Sequence, residues 1–430
     1  MSSAAPADAA ATFAAALESG AYFEDPAPAW TAARQAGAMV KLPFGSGVWA
    51  CTTWAGCAAL ARDPRVSSAR ARHLESQLPL EATEVRPFID LASRMVLYLD
   101  PPRHTPVRKR LNRAFTPEVI GRNRARIAAI FEELLDEWIA SGSDEIMESL
   151  IQPFPTLAMA GWMGLPRVAW PRLLAWADAL LYVGGSDRIG DAHPDSVRNW
   201  LAMVEESRAW LESVVASRRA GGDDLFGLLM EREEGEPLDR DEWVAQALII
   251  LIAGHDTTRN LIGSGLHWML SHGRSYLEFA GDDLAQRLAV DEILRITSPV
   301  AMMGRLAAED FTFTGATLRK GEYFLLGWAS ANRDPGQFPD PDRMDSRRLN
   351  NPHLAFGAGP HACLGLHLAR TEAQIAFERL FRRLPNLRLG ASPPEWKRDP
   401  FSHGPARLHV DYDGRHARPA KPAPLDGHGH

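Results

Sequence analysis

The segment from Asp239 to His272 limits what this chain can fold into more than any other. It is the longest stretch with helical periodicity, and at about 1.5 Å per residue it makes a rod roughly 50 Å long. Most of the remaining chain must wrap around such a rod. Asp239 with Glu242 three residues later spells a capping box, which fixes where the helix begins. Ala247 to Ile252 is apolar on every side, so the middle of the helix is expected in the core. The run then breaks into Ala253-Gly254-His255-Asp256-Thr257-Thr258. A glycine inside a helix costs about 1 kcal/mol relative to alanine. An ionised aspartate in a core needs partners, and a threonine can bond back to the preceding turn. Two readings fit: a helix kink with a satisfied polar network, or a groove for a small ligand with an acid and an alcohol beside it.

A second constraint lies a hundred residues on, in Phe356-Gly357-Ala358-Gly359-Pro360-His361-Ala362-Cys363-Leu364-Gly365, which runs into a helical pattern from Leu366 to Leu384. A helix N-terminus favours negative charge, so a cysteine there is biased towards thiolate. Gly357 and Gly359 allow the backbone to pass close to something flat, and Gly365 lets N–H groups approach the sulfur. A buried structural cysteine beside a turn is the alternative. A third segment, Leu99-Asp100-Pro101-Pro102-Arg103-His104-Thr105-Pro106-Val107-Arg108, puts His104 and Arg108 four apart on one helical face. With Lys109, Arg110 and Arg113 it forms a cationic run without an acid, which taken alone also suits a solvated helix face.

These three spellings, F-G-x-G-x-H-x-C-x-G, A-G-x-D-T and D-P-P-x-H-x-x-x-R, together resemble the cytochrome P450 family. The resemblance extends over about residues 20–412. It implies a mainly α fold with a small β-rich region, in which haem b lies between the long central helix and the cysteine loop. Cys363 is then the metal ligand, a thiolate that pushes electron density onto iron. Phe356 packs by the sulfur, and N–H groups near Gly365 tune it. His104, Arg108, Arg305 and His361 are implied partners of the two haem propionates, and Asp256 and Thr257 are implied catalytic residues that deliver protons to dioxygen. Glu292-Ile293-Leu294-Arg295 with Arg343 matches the family's fold-stabilising Glu–Arg–Arg cluster, although Met344 stands where Phe is more usual.

The same resemblance implies a monooxygenase that takes electrons from a separate ferredoxin or flavodoxin, docked on the basic run Arg103–Arg113. A peroxide-fed peroxygenase and a non-enzymatic haem-thiolate sensor remain open alternatives. Ala253, Val300, Ala301 and Met302 are expected to line a pocket for a lipophilic substrate, although core packing gives the same composition. The irregular Pro64–Leu99 stretch and a lid over Val168–Arg219, hinged at the glycine-rich Gly184–Gly190 loop, complete that expectation.

Composition agrees with a large soluble core: 430 residues, 46% apolar and 23% charged, at net charge -7. That charge disfavours a nucleic-acid partner. Three cysteines (Cys51, Cys57 and Cys363) without CxxC give no disulfide framework and no covalent haem attachment, as expected of a cytoplasmic protein. The apolar run Ala247–Ala253 is too short to cross a bilayer, and the first thirty residues lack the basic start of a signal peptide. The expected organisation is a monomer with a flexible arm at 1–20, one domain at 21–412, and a disordered tail at 413–430 whose His428 and His430 face solvent.

Overall fold

A computed structural model describes residues 6–184, 193–217, 224–229, 238–276 and 283–414. The central helix runs Arg240–Ser271, with both halves of the Asp239–Glu242 capping box formed. It is helical throughout the Ala253–Thr258 interruption, so the polar residues do not break it. Instead the Thr257 hydroxyl donates to the Ala253 carbonyl at 2.8 Å, while Ala253 is exposed and Thr257 half-buried on the same face. Helices Pro153–Trp162, Pro194–Ser217, Asp283–Thr297 and Leu366–Arg383 pack around it. Gln246, fully buried, accepts from the Val96 amide at 2.9 Å and donates to the Arg94 carbonyl at 2.7 Å. One side chain thereby pins the irregular Pro64–Leu99 stretch to the rod.

The β-rich part begins with a hairpin, β1 (Met39–Leu42) and β2 (Val48–Cys51), as the turn residues between them predict. Short β3 (Val66–Ser67) follows, then β4 (Met303–Ala307), the small hairpin β5 (Phe311–Phe313) and β6 (Ala316–Leu318), and β7 (Tyr323–Leu326). The main sheet has the order β1-β2-β7-β4-β3, with β2 and β7 parallel and the other pairs antiparallel. Near the C-terminus, β8 (Arg388–Leu389) pairs with β11 (Val410–Asp411), and β9 (Glu395–Trp396) pairs with β10 (Pro405–Arg407). Sequence patterning foresees the outer pair. The inner ribbon, one of whose strands holds a proline, carries too few periodic residues to be read.

The N-terminal expectation needs correction. Pro6–Ser19 is a helix, and Phe13 is fully buried against Tyr22 and Trp30, each at a ring separation of 5.1 Å. The alanines favour the helix, and the aromatic burial that anchors it lies outside the local pattern. Helices Trp170–Gly184 and Pro194–Ser217 form as foreseen, whereas the proposed hinge beyond Gly184 and the tail from 415, with His428 and His430, lie outside the described residues. Among the described residues no helix is long and apolar enough to cross a membrane.

Candidate active site

Between the central helix and the cysteine loop lies a cavity of about 680 Å3. Ile249, Ile250, Ala253 and Thr257 form its roof and Phe356, Cys363 and Gly365 its floor. The loop holds its shape through backbone bonds from Cys363 N to Phe356 O (2.8 Å) and from Ala362 N to Gly359 O (3.1 Å). Gly359 has φ +71°, and a Cβ there would stand 2.2 Å from the Ala61 carbonyl oxygen, so only glycine closes this turn. Burial pushes the Cys363 thiol above its ordinary range, while the Gly365 amide and the cationic Arg108 and Arg370 pull the other way without overcoming it. The thiolate bias expected from the helix terminus is therefore insufficient by itself. A cation at the sulfur would supply what the protein groups do not.

Phe356 stacks under the Arg370 guanidinium, 4.8 Å from its ring centre, and Arg370 is tied to Asp291 at 2.6 Å. The hydrogen bonds of the loop and this stack hold the cysteine from both sides.

At one edge of the cavity, basic groups converge. Arg305 is buried on β4, and its guanidinium is pushed down to about 9 by desolvation first and by Arg70 second. His361 is depressed to about 3 by burial, then by His104, Arg305, Arg70 and Arg108. His104 lies behind it, ring centres 4.2 Å apart, with a buried Nε2 that has no hydrogen-bond partner. Arg108 donates to the Ala362 carbonyl at 2.6 Å and to Asn112 Oδ1 at 2.9 Å. Arg70, buried over the Tyr98 ring at 4.8 Å, completes the group. The nearby acid, Asp100, is engaged by Ser67 and Ser68. Buried cations that depress one another's proton affinity need an anion to offset them. Two carboxylates of a flat ligand resting on the cysteine loop satisfy that requirement, so the residues present fit haem. Arg70 has no motif around it and is absent from the sequence reading. Its place in an irregular stretch left only the general expectation of a lining residue.

Above the cavity, Lys397 pairs with Asp256, and Asn260 Nδ2 donates to Asp256 Oδ2 at 3.0 Å. Burial alone would raise the Asp256 carboxyl, but Lys397, Arg259 and His255 outweigh it and hold it below the ordinary carboxylate range. Lys397 is another residue that sequence reasoning missed. Of the expected pocket residues, Ala253, Val300 and Met302 line the cavity. Ala301 does not: its amide donates to the Phe401 carbonyl at 2.8 Å, and it is buried in the core cluster that holds Phe13, Tyr22 and Trp30.

The fold-stabilising cluster also differs in one member. Glu292 and Arg295 are fully buried and joined by two bonds of 2.7 and 2.8 Å. Arg295 also donates to the carbonyls of Asn332 (2.9 Å), Pro341 (2.6 Å) and Arg343 (3.1 Å). Arg343 contributes only that carbonyl; its side chain is 69% exposed and meets Asp345. The third side chain is Arg348, 11% exposed, whose Nε lies 3.3 Å from Glu292 Oε1. The coil between them has no period that could say which arginine turns inward.

Comparison with known proteins decides the family. A profile of the family described as Cytochrome P450 matches residues 287–394. The monooxygenase PikC of Streptomyces venezuelae is 33% identical over 90% of this chain and 91% of its own. This chain belongs to the cytochrome P450 family. The P450 is also 33% identical to the vitamin D(3) 25-hydroxylase of Pseudonocardia autotrophica, across 93% of this chain and 97% of the hydroxylase. Its fold superposes on the crystal structure of P450BioI, solved with an acyl carrier protein bearing hexadec-9Z-enoic acid, at TM-score 0.82 and 28% identity, covering 91% of this chain and 100% of that one. It is a haem enzyme of the P450 monooxygenase class, with haem b as cofactor.

Proposed function

We propose that this P450 inserts one oxygen atom from dioxygen into a lipophilic small molecule, by hydroxylation or epoxidation, with electrons from a separate ferredoxin or flavodoxin. The supporting observation is the acid–alcohol pair over the cavity. Thr257 lines it with its hydroxyl proton committed to Ala253, so its oxygen can still accept from water or a protonated ligand. Asp256, one residue earlier, faces Lys397 and Asn260 and connects that spot to the polar hairpin side. Cys363 would hold the iron, and His104, Arg108, Arg305, His361 and Arg70 would hold the propionates. When bound, the haem supplies the metal centre at which dioxygen is activated. The chain's own part is to keep water out with Phe88, Val96, Ile249 and Met302, to orient the substrate, and to bring protons through Asp256 and Thr257.

An apolar cavity suits a lipophilic substrate, as do the fatty acyl group named with P450BioI and the vitamin D(3) named with the hydroxylase. The donor docks on the face of helix His104–Ala114, where Lys109 is exposed and Arg110 and Arg113 are half-buried. Arg103, expected in that patch, is paired with Glu242 at 2.7 Å and belongs to the central-helix side. Reconstitution with NAD(P)H, a reductase and ferredoxin tests the proposal. Product should require all three, and Thr257→Ala should keep haem and substrate binding while diverting electrons to peroxide. Turnover on peroxide alone with an indifferent Thr257→Ala would favour a peroxygenase. Ligand binding without turnover under either regime would favour a sensor.

A further inference from the structure

Lys397 takes no part in the proton path itself, although it is half-buried at the cavity wall and touches the proposed proton carrier. Lys397 begins the loop that joins β9 to β10, and the tip of this loop, Arg398, Asp399, Phe401 and Ser402, lines the cavity. The ribbon is fastened to its surroundings at several points. His403 N donates to Pro299 O at 3.0 Å and Ser264 of the central helix to His403 O at 3.4 Å, while Lys397 N closes the loop itself on Gly404 O at 3.2 Å. Gly404 lies so close to the central helix that a Cβ there would stand 2.4 Å from Asn260 Oδ1. Asn260 in turn donates to Asp256, and Lys397 Nζ reaches Asn260 Oδ1 at 3.5 Å. The result is a triangle, Asp256–Asn260–Lys397, with two corners on the central helix and one on the loop that lines the substrate cavity.

We propose that Lys397 is the positioning residue for proton delivery, holding the Asp256 carboxylate in one orientation through a loop that also forms part of the substrate wall. This rests on the reading of Asp256 and Thr257 as the proton path. Asp256 is faced by Lys397 and Asp399 from the ribbon and by Arg259 and His255 from its own helix, with Glu372 of the cysteine helix beyond, beside Thr258. Lys397 gives the largest of the effects that offset burial, and it makes direct contact. Its removal leaves a buried carboxylate with weaker support, which desolvation drives towards the neutral acid. A relay whose resting form is the carboxylate then fails first at low pH.

Product formed per electron consumed, measured across a pH series, tests this. In Lys397→Met the acid limb of that profile should move to higher pH, with a several-fold rise in peroxide on its low side. Lys397→Arg, which keeps the cation, should return the limb to the wild-type position; a purely structural role for the lysine gives no such rescue of the profile. Gly404→Ala keeps Lys397 but pushes the ribbon off Asn260, and should move the limb the same way. Independently of turnover, a double-mutant cycle of Asp256→Asn and Lys397→Met on urea unfolding should show non-additive losses. A wild-type acid limb in Lys397→Met, with Asp256→Asn impaired, would overturn this role while leaving the proton path standing. Unchanged coupling in Asp256→Asn would overturn both.

Discussion

Removing Glu292 separates the third partner seen in the structure from the one the motif suggests. Glu292→Ala takes both charge-assisted bonds from Arg295, which has no solvent exposure and keeps only three carbonyl acceptors. A buried charge stripped of its partner costs about 3–5 kcal/mol. Against a typical total of roughly 5–15 kcal/mol, that removes a large share of the stability, and the haem-loaded yield should fall with it. Arg348→Ala removes the 3.3 Å contact with Glu292 and an exposed bond to the Pro339 carbonyl, and leaves Glu292 with Arg295, the Asp345 amide and Asn351, so a loss nearer 1 kcal/mol is expected. Arg343→Ala leaves its backbone carbonyl in place and removes an exposed pair at 3.5 Å, worth roughly 0–1 kcal/mol. With unfolding entropy near 2.1 cal/mol/K per residue over 430 residues, 3–5 kcal/mol lowers the melting temperature by roughly 3–6 °C and 1 kcal/mol by about 1 °C. Haem content per polypeptide and urea midpoints give the order directly: Glu292→Ala worst, Arg348→Ala intermediate, Arg343→Ala near wild type. Arg343→Ala as damaging as Glu292→Ala would refute the assignment of Arg348. A well-folded, haem-replete Glu292→Ala lacking only activity would refute a structural role altogether.

Cys363→Ala should abolish the red-shifted Soret band that reduced protein gives with carbon monoxide. Substitution of buried Cys51 or Cys57 should leave that band where it is, as absorbance spectra will show. Glu372 is fully buried, and burial pushes its carboxyl well above the ordinary range, so the folded state holds its proton where the unfolded chain has lost it. Stability therefore falls as pH rises above the unfolded-state value. Glu372→Gln should raise the melting temperature at neutral and alkaline pH, with the gain vanishing towards acid; a gain independent of pH would mean that folding does not raise the proton affinity of this carboxyl. Reversing Lys109 and Arg113 to Glu should slow reduction by ferredoxin at low salt, and the difference from wild type should shrink as ionic strength rises and the Debye length falls below about 8 Å. Stopped-flow reduction rates across a salt series decide it, and equal rates at low salt would return this helix face to simple solvation.

The parts of the site that are legible in the sequence are those whose chemistry needs consecutive residues. A turn that needs positive φ at Gly359, a cysteine before a helix, and His104 and Arg108 one turn apart are local requirements, so short spellings disclose them. The central helix is read for the same reason, because its caps and periodicity lie within it. Arg70, Lys397 and Arg348 come from coil or ribbon, where no period fixes the direction of a side chain. Lys397 and Arg348 are recruited by opposite charge across a long sequence separation, to Asp256 and Glu292, while Arg70 is held over the Tyr98 ring beside Arg305, whose like charge opposes it. The helix at Pro6–Ser19 depends on Phe13 finding Tyr22 and Trp30, and Ala301 turns from the cavity because its amide meets Phe401. Local propensity determines which segments can present a group. Burial of charge and aromatic surface between remote segments, which costs free energy unless each finds its partner, decides which groups are presented.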